Sequence, residues 1–193
     1  MNFNDKKYWM NFYSLNNDIN LECSNFCNFV IDYFKNVNIS DVLDCGCGNG
    51  RDSYALSNIY NVDGIDNCGV LPINKNNVKF YIDDLATFNK DKYDLIYSRF
   101  SFHSMTNEQH IAFLDSIKTN SYLVIETRSQ KSENDEVVHG RTHYRNYTDF
   151  NYLKNLLTVK NFDIIYINED INFAKYKNEN PYCIRVICKK NNL

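Results

Sequence analysis

The sequence predicts an α/β fold built on a seven-stranded sheet that is mostly parallel, ends in an antiparallel pair of strands and carries helices on both faces. From residue 41 onward, short apolar runs alternate with segments of helical periodicity, the pattern of parallel sheets covered by helices. The last two apolar runs follow one another without a helix between them, which favours an antiparallel pair at the edge of the sheet.

Each predicted element has its own signal in the chain. Before the sheet, the spacing of aromatic residues predicts a short helix over Lys6–Tyr13, and Ser24 is placed to cap a second helix with an apolar face. The predicted strands are Asp41–Cys45, Asn61–Ile65, Val78–Ile82, Tyr93–Ser98, Tyr122–Thr127, Phe162–Asn168 and Tyr182–Lys189. The predicted helices among them are Arg51–Asn58, Asn107–Thr119 and Thr148–Val159, the last with Thr148 as its N-cap. Pro72 excludes a long helix between residues 67 and 76.

Length and composition favour a single domain spanning residues 1–193. At ~150 residues per domain, a chain of 193 residues indicates one domain. Hydrophobic residues make up 44% of the chain and charged residues 23%, so a core can form without disulfide bridges. Within this domain we expect residues 1–38 to form a helical lid or cap and residues 41–193 to form the core.

Charge and cysteine use exclude several classes of protein. With 21 Lys+Arg against 24 Asp+Glu, the net charge of −3 excludes a broadly basic nucleic-acid binder. No apolar run approaches the roughly 20 residues of a membrane span, and the N-terminus lacks the apolar stretch of a secretory signal. The odd number of cysteines, seven, indicates reduced thiols, so we expect a cytoplasmic protein. No second Cys or His pair at zinc-site spacing accompanies Cys23 and Cys27, so no metal is expected.

The most informative segment follows the first predicted strand. Gly46, Gly48 and Gly50 lie between that strand and a helix, where glycine permits a sharp turn and close approach of a ligand. The third glycine comes one residue earlier than in a dinucleotide-binding loop, and Asp44 would repel a pyrophosphate but suit a cation. Asp66 ends the second strand, where an acid can bind the two hydroxyls of a ribose.

With these residues the sequence resembles the class I S-adenosylmethionine-dependent methyltransferases, whose sheet is Rossmann-like. The motif Asp44-x-Gly46-x-Gly48-x-Gly50 is similar to the family motif that contacts the methionine part of the cofactor, and Asp66 matches the ribose-binding acid. Asp83-Asp84-Leu85 matches the segment that contacts adenine, with Asp84 favoured, and the strand ending at Ser98 faces the transferred methyl group. The resemblance implies S-adenosyl-L-methionine as cofactor, S-adenosyl-L-homocysteine as its product, and contacts from Asp44, Gly46, Cys47, Gly48, Gly50, Arg51, Asp66, Asn67, Asp83, Asp84, Leu85, Ser98 and Tyr13.

Candidate catalytic residues follow the fourth and fifth strands, because ligands of open α/β sheets gather at the carboxyl ends of the strands. They are Arg99, His103, Glu126, Arg128, His143 and Arg145. His103 is a candidate base, or packs beside the adenine; Glu126 and Arg128 are candidates for catalysis, or form a buried ion pair.

The polar stretch from Arg128 to Arg145 is long for a loop without function, although a solvated surface loop is the alternative. Its interleaved His and Arg, from His139 and Arg141 to His143 and Arg145, would suit the binding of an anionic group.

Two further features concern the acceptor. The aromatic residues of the first helix, Tyr13 among them, would form a lid over a sulfonium, or simply pack the helix onto the domain. Ser98–His103, Glu126–Ser129 and His143–Arg145 resemble small bacterial enzymes associated with surface-polysaccharide gene sets.

We therefore expect methyl transfer to an oxygen of a small anionic or sugar-linked metabolite, such as a capsule or O-antigen precursor, with no nucleic-acid or membrane partner. The alternatives are a non-catalytic cofactor-binding subunit, a methyltransferase for another small molecule and a nicotinamide-dependent reductase.

Overall fold

The structure is a computed structural model that describes residues 3–15, 22–134, 143–176 and 178–192. Its helices are α1 (Phe3–Leu15), α2 (Asn25–Phe34), α3 (Arg51–Leu56), α4 (Asn107–Asp115) and α5 (Phe150–Val159). Its strands are β1 (Asp41–Cys45), β2 (Asn61–Asp66), β3 (Val78–Ile82), β4 (Leu95–Arg99), β5 (Tyr122–Arg128), β6 (Phe162–Asp170) and β7 (Cys183–Lys190). None of the described helices is both long and apolar enough to cross a membrane.

The seven strands form one sheet in the order β3-β2-β1-β4-β5-β7-β6. The pairs from β3 to β5 are parallel, and β7 runs antiparallel to both β5 and β6. The chain moves outward from β1 to β3 and then returns to the other side of β1, so that β1 and β4 are neighbours. This reversal falls at the carboxyl ends of β1 and β4, where sheets of this kind usually bind their ligands in a crevice.

Helices cover both faces of the sheet, because successive strand residues point to opposite sides. On one face Leu43 of β1 belongs to the buried cluster that includes side chains of α4 and α5. On the other face Val42 belongs to the cluster that includes side chains of α2 and α3. The predicted fold class is confirmed, including the antiparallel pair at the C-terminal end.

One of the two predicted helix N-caps is found in the structure, and the other lies one residue further along the chain. Ser24 caps α2 as predicted, since its hydroxyl accepts a hydrogen bond from the Cys27 amide at 3.0 Å. Thr148 is wrong as the N-cap of α5: the cap is Asp149, whose carboxylate accepts from the Tyr152 amide at 2.7 Å. Both residue types suit the position, and the chain begins to turn one residue later than predicted, because the backbone amide of Thr148 is bonded to the Arg128 carbonyl.

Part of the stretch predicted as a loop from Arg128 forms regular secondary structure. Arg128 is the last residue of β5 rather than the first of a loop, and a short 3-10 turn follows at Gln130–Ser132. His139 and Arg141, named above as anion-binding candidates, lie outside the described residues. α4 ends at Asp115, earlier than the predicted Thr119, while the segment around Pro72 contains no helix, as predicted.

Candidate functional site

The glycine loop after β1 is built as its sequence requires. Gly46, Gly48 and Gly50 have φ angles of 82°, 53° and 76°, a region that other residues rarely adopt. A Cβ on Gly46 would lie 2.5 Å from the Cβ of Ser101, and one on Gly48 would collide with the ring of Tyr13. The side chain of Tyr13 from α1 therefore lies directly over the loop.

Asp66 joins the glycine loop to the turn that follows β2. Its Oδ2 accepts a hydrogen bond from the Gly48 amide at 3.0 Å, and its Oδ1 accepts from the Cys68 amide at 2.9 Å. Each carboxylate oxygen has a second lone pair. Asp66 can thus fix the shape of the loop and still accept hydroxyl donors from a ligand.

Asp44 lies buried beneath the same loop. The hydroxyl of Ser53 donates a hydrogen bond to its Oδ2 at 2.5 Å. Burial raises the pKa of Asp44 to about 7, although the bond from Ser53 opposes this change. A cationic ligand group beside Asp44 would favour the ionised carboxylate, so the expectation that Asp44 contacts a cation stays a prediction.

The loop after β3 carries the predicted adenine-side residues. Asp84 folds the loop by accepting from the Ala86 amide at 2.8 Å, and Asp83 accepts from the Asp84 amide at 2.7 Å. A fully buried lysine, Lys90, holds the loop from below: its ammonium donates to the carbonyls of Leu85 at 2.8 Å and Phe88 at 3.0 Å. Sequence reasoning missed Lys90, because nothing distinguishes it from neighbouring surface lysines.

The remaining predicted cofactor residues lie at or just beyond the carboxyl ends of β1, β2 and β4. Ser98, at the end of β4, is buried and shares a hydrogen bond of 2.8 Å with Ser101, whose hydroxyl donates to the Cys45 carbonyl. Cys47 packs its side chain into the core cluster beneath the loop. Arg51 and Asn67 are partly exposed at the carboxyl ends of β1 and β2.

Glu126 bridges two arginines and is completely buried. Its Oε1 accepts from Arg99 Nε at 3.0 Å and its Oε2 from Arg185 Nε at 2.7 Å. The ion-pair alternative for Glu126 thus describes its geometry, but its partners are Arg99 and Arg185 instead of Arg128. Arg128 pairs with Glu179 at 2.6 Å.

Asp52, at the start of α3, was not identified from the sequence. It accepts hydrogen bonds from the amide and hydroxyl of Ser24 at 2.8 and 2.7 Å and from the Tyr97 hydroxyl at 2.7 Å. Burial alone would raise the pKa of Asp52, but Arg99 and Arg51 with the bonds from the helix cap outweigh it and hold the pKa below its usual value. Asp52 ties α2 to the end of the sheet at which Arg99 lies.

His103, Arg128 and Arg145 form a second charged group, which we call the cation cluster. Among the described residues, no hydrogen-bond partner reaches four of its buried atoms: His103 Nδ1, Arg128 Nη1, and Arg145 Nε and Nη1. The backbone holds the cluster together, because the Asn146 amide donates to the His103 carbonyl at 2.7 Å and the Thr148 amide to the Arg128 carbonyl at 3.0 Å. Burial lowers the pKa of His103 well below its usual value, and Arg128 and Arg145 lower it further.

Phe100 lies beside both charged groups. Its ring centroid is 4.5 Å from the guanidinium carbon of Arg99, 5.6 Å from that of Arg128 and 5.7 Å from the ring of His103. Its φ of 56° is unusual for an aromatic residue. Such backbone outliers concentrate at functional sites, so the conformation of Phe100 makes the end of β4 a candidate for one.

The helix α1 contacts the cation cluster through His143. The ring of Tyr8 stacks on His143 with centroids 4.2 Å apart, and the ring of Trp9 meets it edge-on at 4.8 Å. The Tyr144 amide donates to Asp5 Oδ1 at 2.8 Å. The predicted catalytic residues therefore divide into three places: Arg99 and Glu126 in the buried bridge, His103, Arg128 and Arg145 in the cation cluster, and His143 against α1.

In the described part of the chain, no group of three or more His, Cys, Asp or Glu side chains is placed to hold a metal ion.

Comparisons with known proteins agree on the fold. A family model described as a methyltransferase domain matches residues 19–167. A methyltransferase of Anabaena variabilis superposes with a TM-score of 0.70 at 14% identity, covering 98% of this chain and 96% of that chain. One from Clostridium acetobutylicum gives 0.67 at 14% identity, covering 90% and 94%.

The 1,6-didemethyltoxoflavin-N1-methyltransferase of Burkholderia thailandensis, with bound S-adenosylhomocysteine, gives a TM-score of 0.64 at 16% identity, covering 86% of this chain and 76% of that chain. No curated protein sequence matches this chain. At these identities the solved structures support the fold alone.

Proposed function

The chain belongs to the methyltransferase-domain family, with S-adenosyl-L-methionine as methyl donor, and on that premise we propose that it methylates an oxygen of a small anionic acceptor. The donor would occupy the crevice lined by the glycine loop, Asp66, and the Asp83–Leu85 loop. Residues 1–38 would act as a lid on a single domain, with Tyr13 over the donor.

The observation that carries this proposal is the cation cluster. Three buried guanidinium nitrogens, Arg128 Nη1 and Arg145 Nε and Nη1, have no hydrogen-bond partner among the described residues, and a buried donor without a partner costs about 1–3 kcal/mol. An oxyanion in the acceptor would satisfy these donors and balance the arginine charge. An ammonium group would be repelled, so the cluster favours an anionic acceptor over a free amine.

The positive charges of the cation cluster also bear on which atom of the acceptor is methylated. The fold alone leaves the acceptor atom open, since one protein of similar structure is an N1-methyltransferase. A cationic environment stabilises the alkoxide character that develops as a hydroxyl loses its proton, which favours oxygen. The resemblance of segments near His103, Glu126 and His143 to surface-polysaccharide enzymes leads us to propose a sugar-linked acceptor, such as a capsule or O-antigen precursor. All seven cysteines are free thiols, which supports a reducing compartment, the cytoplasm.

Two measurements test the proposal in order. First, calorimetry with S-adenosylhomocysteine, and with NAD in parallel, should give saturable binding of the first ligand alone. Second, transfer of a labelled methyl group should be screened against nucleotide sugars, sugar phosphates, carboxylic acids and neutral or cationic amines. We expect product only with anionic acceptors, and Arg145→Gln should lower turnover while S-adenosylhomocysteine affinity is unchanged.

Methylation of amines alone would refute the oxygen assignment. Donor binding with product formed only in the presence of a larger methyltransferase would identify the chain as a non-catalytic partner subunit.

A further inference from the structure

We propose that the acceptor carries a phosphate group, that Arg128 and Arg145 bind this group, and that its charge enables His103 to take the proton of the acceptor hydroxyl. This inference rests on the proposed function, because it concerns the acceptor side of the same crevice. The phosphate would thus do more than bind the acceptor. Its negative charge would allow His103 to act as the base that removes the proton of the acceptor hydroxyl.

The unused donors match a phosphate in number and in charge. One terminal nitrogen of Arg128 donates to Glu179, which leaves Nη1 without a partner, and Arg145 has Nε and Nη1 without partners among the described residues. Glu179 balances the charge of Arg128, whereas no carboxylate of the described chain pairs with Arg145. A phosphate monoester offers three terminal oxygens and a charge near −2, and the planar guanidinium binds such oxygens in pairs.

The surroundings of His103 explain why the free protein would lack a base. The charged or titratable groups that act on it are Arg128 at the end of β5, Arg145 and His143 on the following segment, and His110 on α4. Each of these is a cation or becomes one on protonation, and His103 is itself buried. Their combined effect, together with burial, holds the pKa of His103 well below its usual value. A base needs a pKa near the working pH to accept a proton efficiently.

A phosphate dianion between the two arginines would reverse this environment. Opposite charge within about 4–6 Å raises the pKa of a histidine, typically by 1–3 units for close partners. In the transfer step, the hydroxyl oxygen of the acceptor forms a bond to the methyl carbon of the donor. The carbon–sulfur bond breaks with its electron pair left on sulfur, and the hydroxyl proton passes to His103 Nδ1. The products are the methyl ether and S-adenosylhomocysteine, and His103 then returns its proton to solvent.

The test is an NMR titration of the histidines in the full chain without donor or acceptor. The chain has four histidines, so each ring signal can be assigned by single substitution. Sodium sulfate serves as a tetrahedral dianion whose charge is constant over the titration, and sodium phosphate as the chemical match. Sodium chloride at equal ionic strength controls for screening. His110 is the internal control, because it is also buried and its Nε2 bonds to the Phe102 carbonyl at 2.8 Å.

We expect sulfate and phosphate to raise the pKa of His103 by about one unit or more, while His110 moves much less. Arg145→Gln should raise the pKa of His103 without added anion and abolish its dependence on sulfate. Lys35→Gln, at an exposed residue after α2, should leave both values unchanged. The His110 signal also reports whether each variant is folded.

Several results would overturn the inference: no response of His103 to either dianion, an equal response to chloride, or an equal shift of His110. An equal shift with sodium acetate would overturn the phosphate assignment in favour of a carboxylate. The titration involves no methyl transfer, so its result is independent of the acceptor screen. Failure of the screen would refute the proposed function but not the binding of a dianion near His103.

Discussion

Glu126→Gln should destabilise the protein strongly, because its carboxylate joins Arg99 to Arg185 and is, among the described residues, the only carboxylate paired with Arg185. Both of its oxygens accept from guanidinium groups, at 3.0 and 2.7 Å, and its side chain has no exposed area. The amide of glutamine keeps one acceptor and presents two donors to the second arginine. The substitution thus leaves the buried Arg185 without a carboxylate partner, whereas Arg99 keeps Asp52, whose Oδ2 lies 4.0 Å from Arg99 Nε.

The expected loss follows from these contacts. Breaking a buried ion pair by removing one partner costs about 3–5 kcal/mol. The side chain of Arg185 is 8% exposed, so water relieves little of that cost there, while Arg99 at 21% is better solvated. For a chain of this size each 1 kcal/mol lowers the melting temperature by about 2–4 °C. A loss of about 3 kcal/mol, or roughly 6–12 °C, is therefore expected.

Thermal and urea unfolding followed by circular dichroism would measure the change, with Glu22→Gln as a matched control at an exposed position. Arg185→Met in the Glu126→Gln background should recover part of the loss, because it removes the cation that has lost its counter-charge. A fall of less than about 1 kcal/mol for Glu126→Gln would refute the reasoning, since the arginines would then be screened by water.

Three further predictions concern the donor site. Asp66→Ala should weaken S-adenosylhomocysteine binding by about 10- to 100-fold in calorimetry, since it removes a charged acceptor; unchanged affinity would contradict the ribose assignment. Tyr13→Ala should weaken the same binding while Tyr13→Phe preserves it, because the ring is what covers Gly48; equal losses would instead indicate a role for the hydroxyl. The affinity for S-adenosylmethionine should rise with pH and level off above about pH 7, because a cationic donor favours ionised Asp44, whose pKa burial raises to about 7. Asp44→Asn should abolish this dependence, and a profile unchanged by the substitution would assign it to another group.

The effect of Asp44 ionisation on folding stability is opposite to the usual effect of a carboxylate. Its folded-state pKa lies above its value in the unfolded chain, so ionisation opposes folding as pH rises from about 4 to 7. Bound donor removes that penalty. Stabilisation by the donor should therefore be larger at pH 8 than at pH 5, which a thermal shift at both pH values would measure.

The fold could be predicted from the sequence because its signals are local. Strand and helix periodicity, the glycines after β1 and the serine that caps α2 each act within a few residues. The error at Thr148 was also local: two neighbouring residues could cap α5, and the backbone bond from Thr148 to Arg128 that decided between them joins distant segments.

The charged groups of the site could be predicted only in part, because their partners are far apart in sequence. Glu126 was placed at a strand end, but its pairing with Arg185 depends on the register between β5 and β7. Acidic residues are common in the first turn of a helix, so Asp52 does not stand out in the sequence. Its partner Ser24 caps another helix, α2. Residue type and spacing carry no information on such pairings until the strands are aligned.

The position of α1 links the two halves of the site. At one end Tyr13 lies over the glycine loop, and at the other Asp5 and Tyr8 hold the segment of His143 that continues into Arg145. A helix that contacts both sides cannot move over the donor without changing its contacts on the acceptor side. Because coupling between two sites is reciprocal, an anion bound at Arg145 that favours the docked helix would strengthen donor binding by the same factor. The lid would then retain the donor best when the group that accepts its methyl is present.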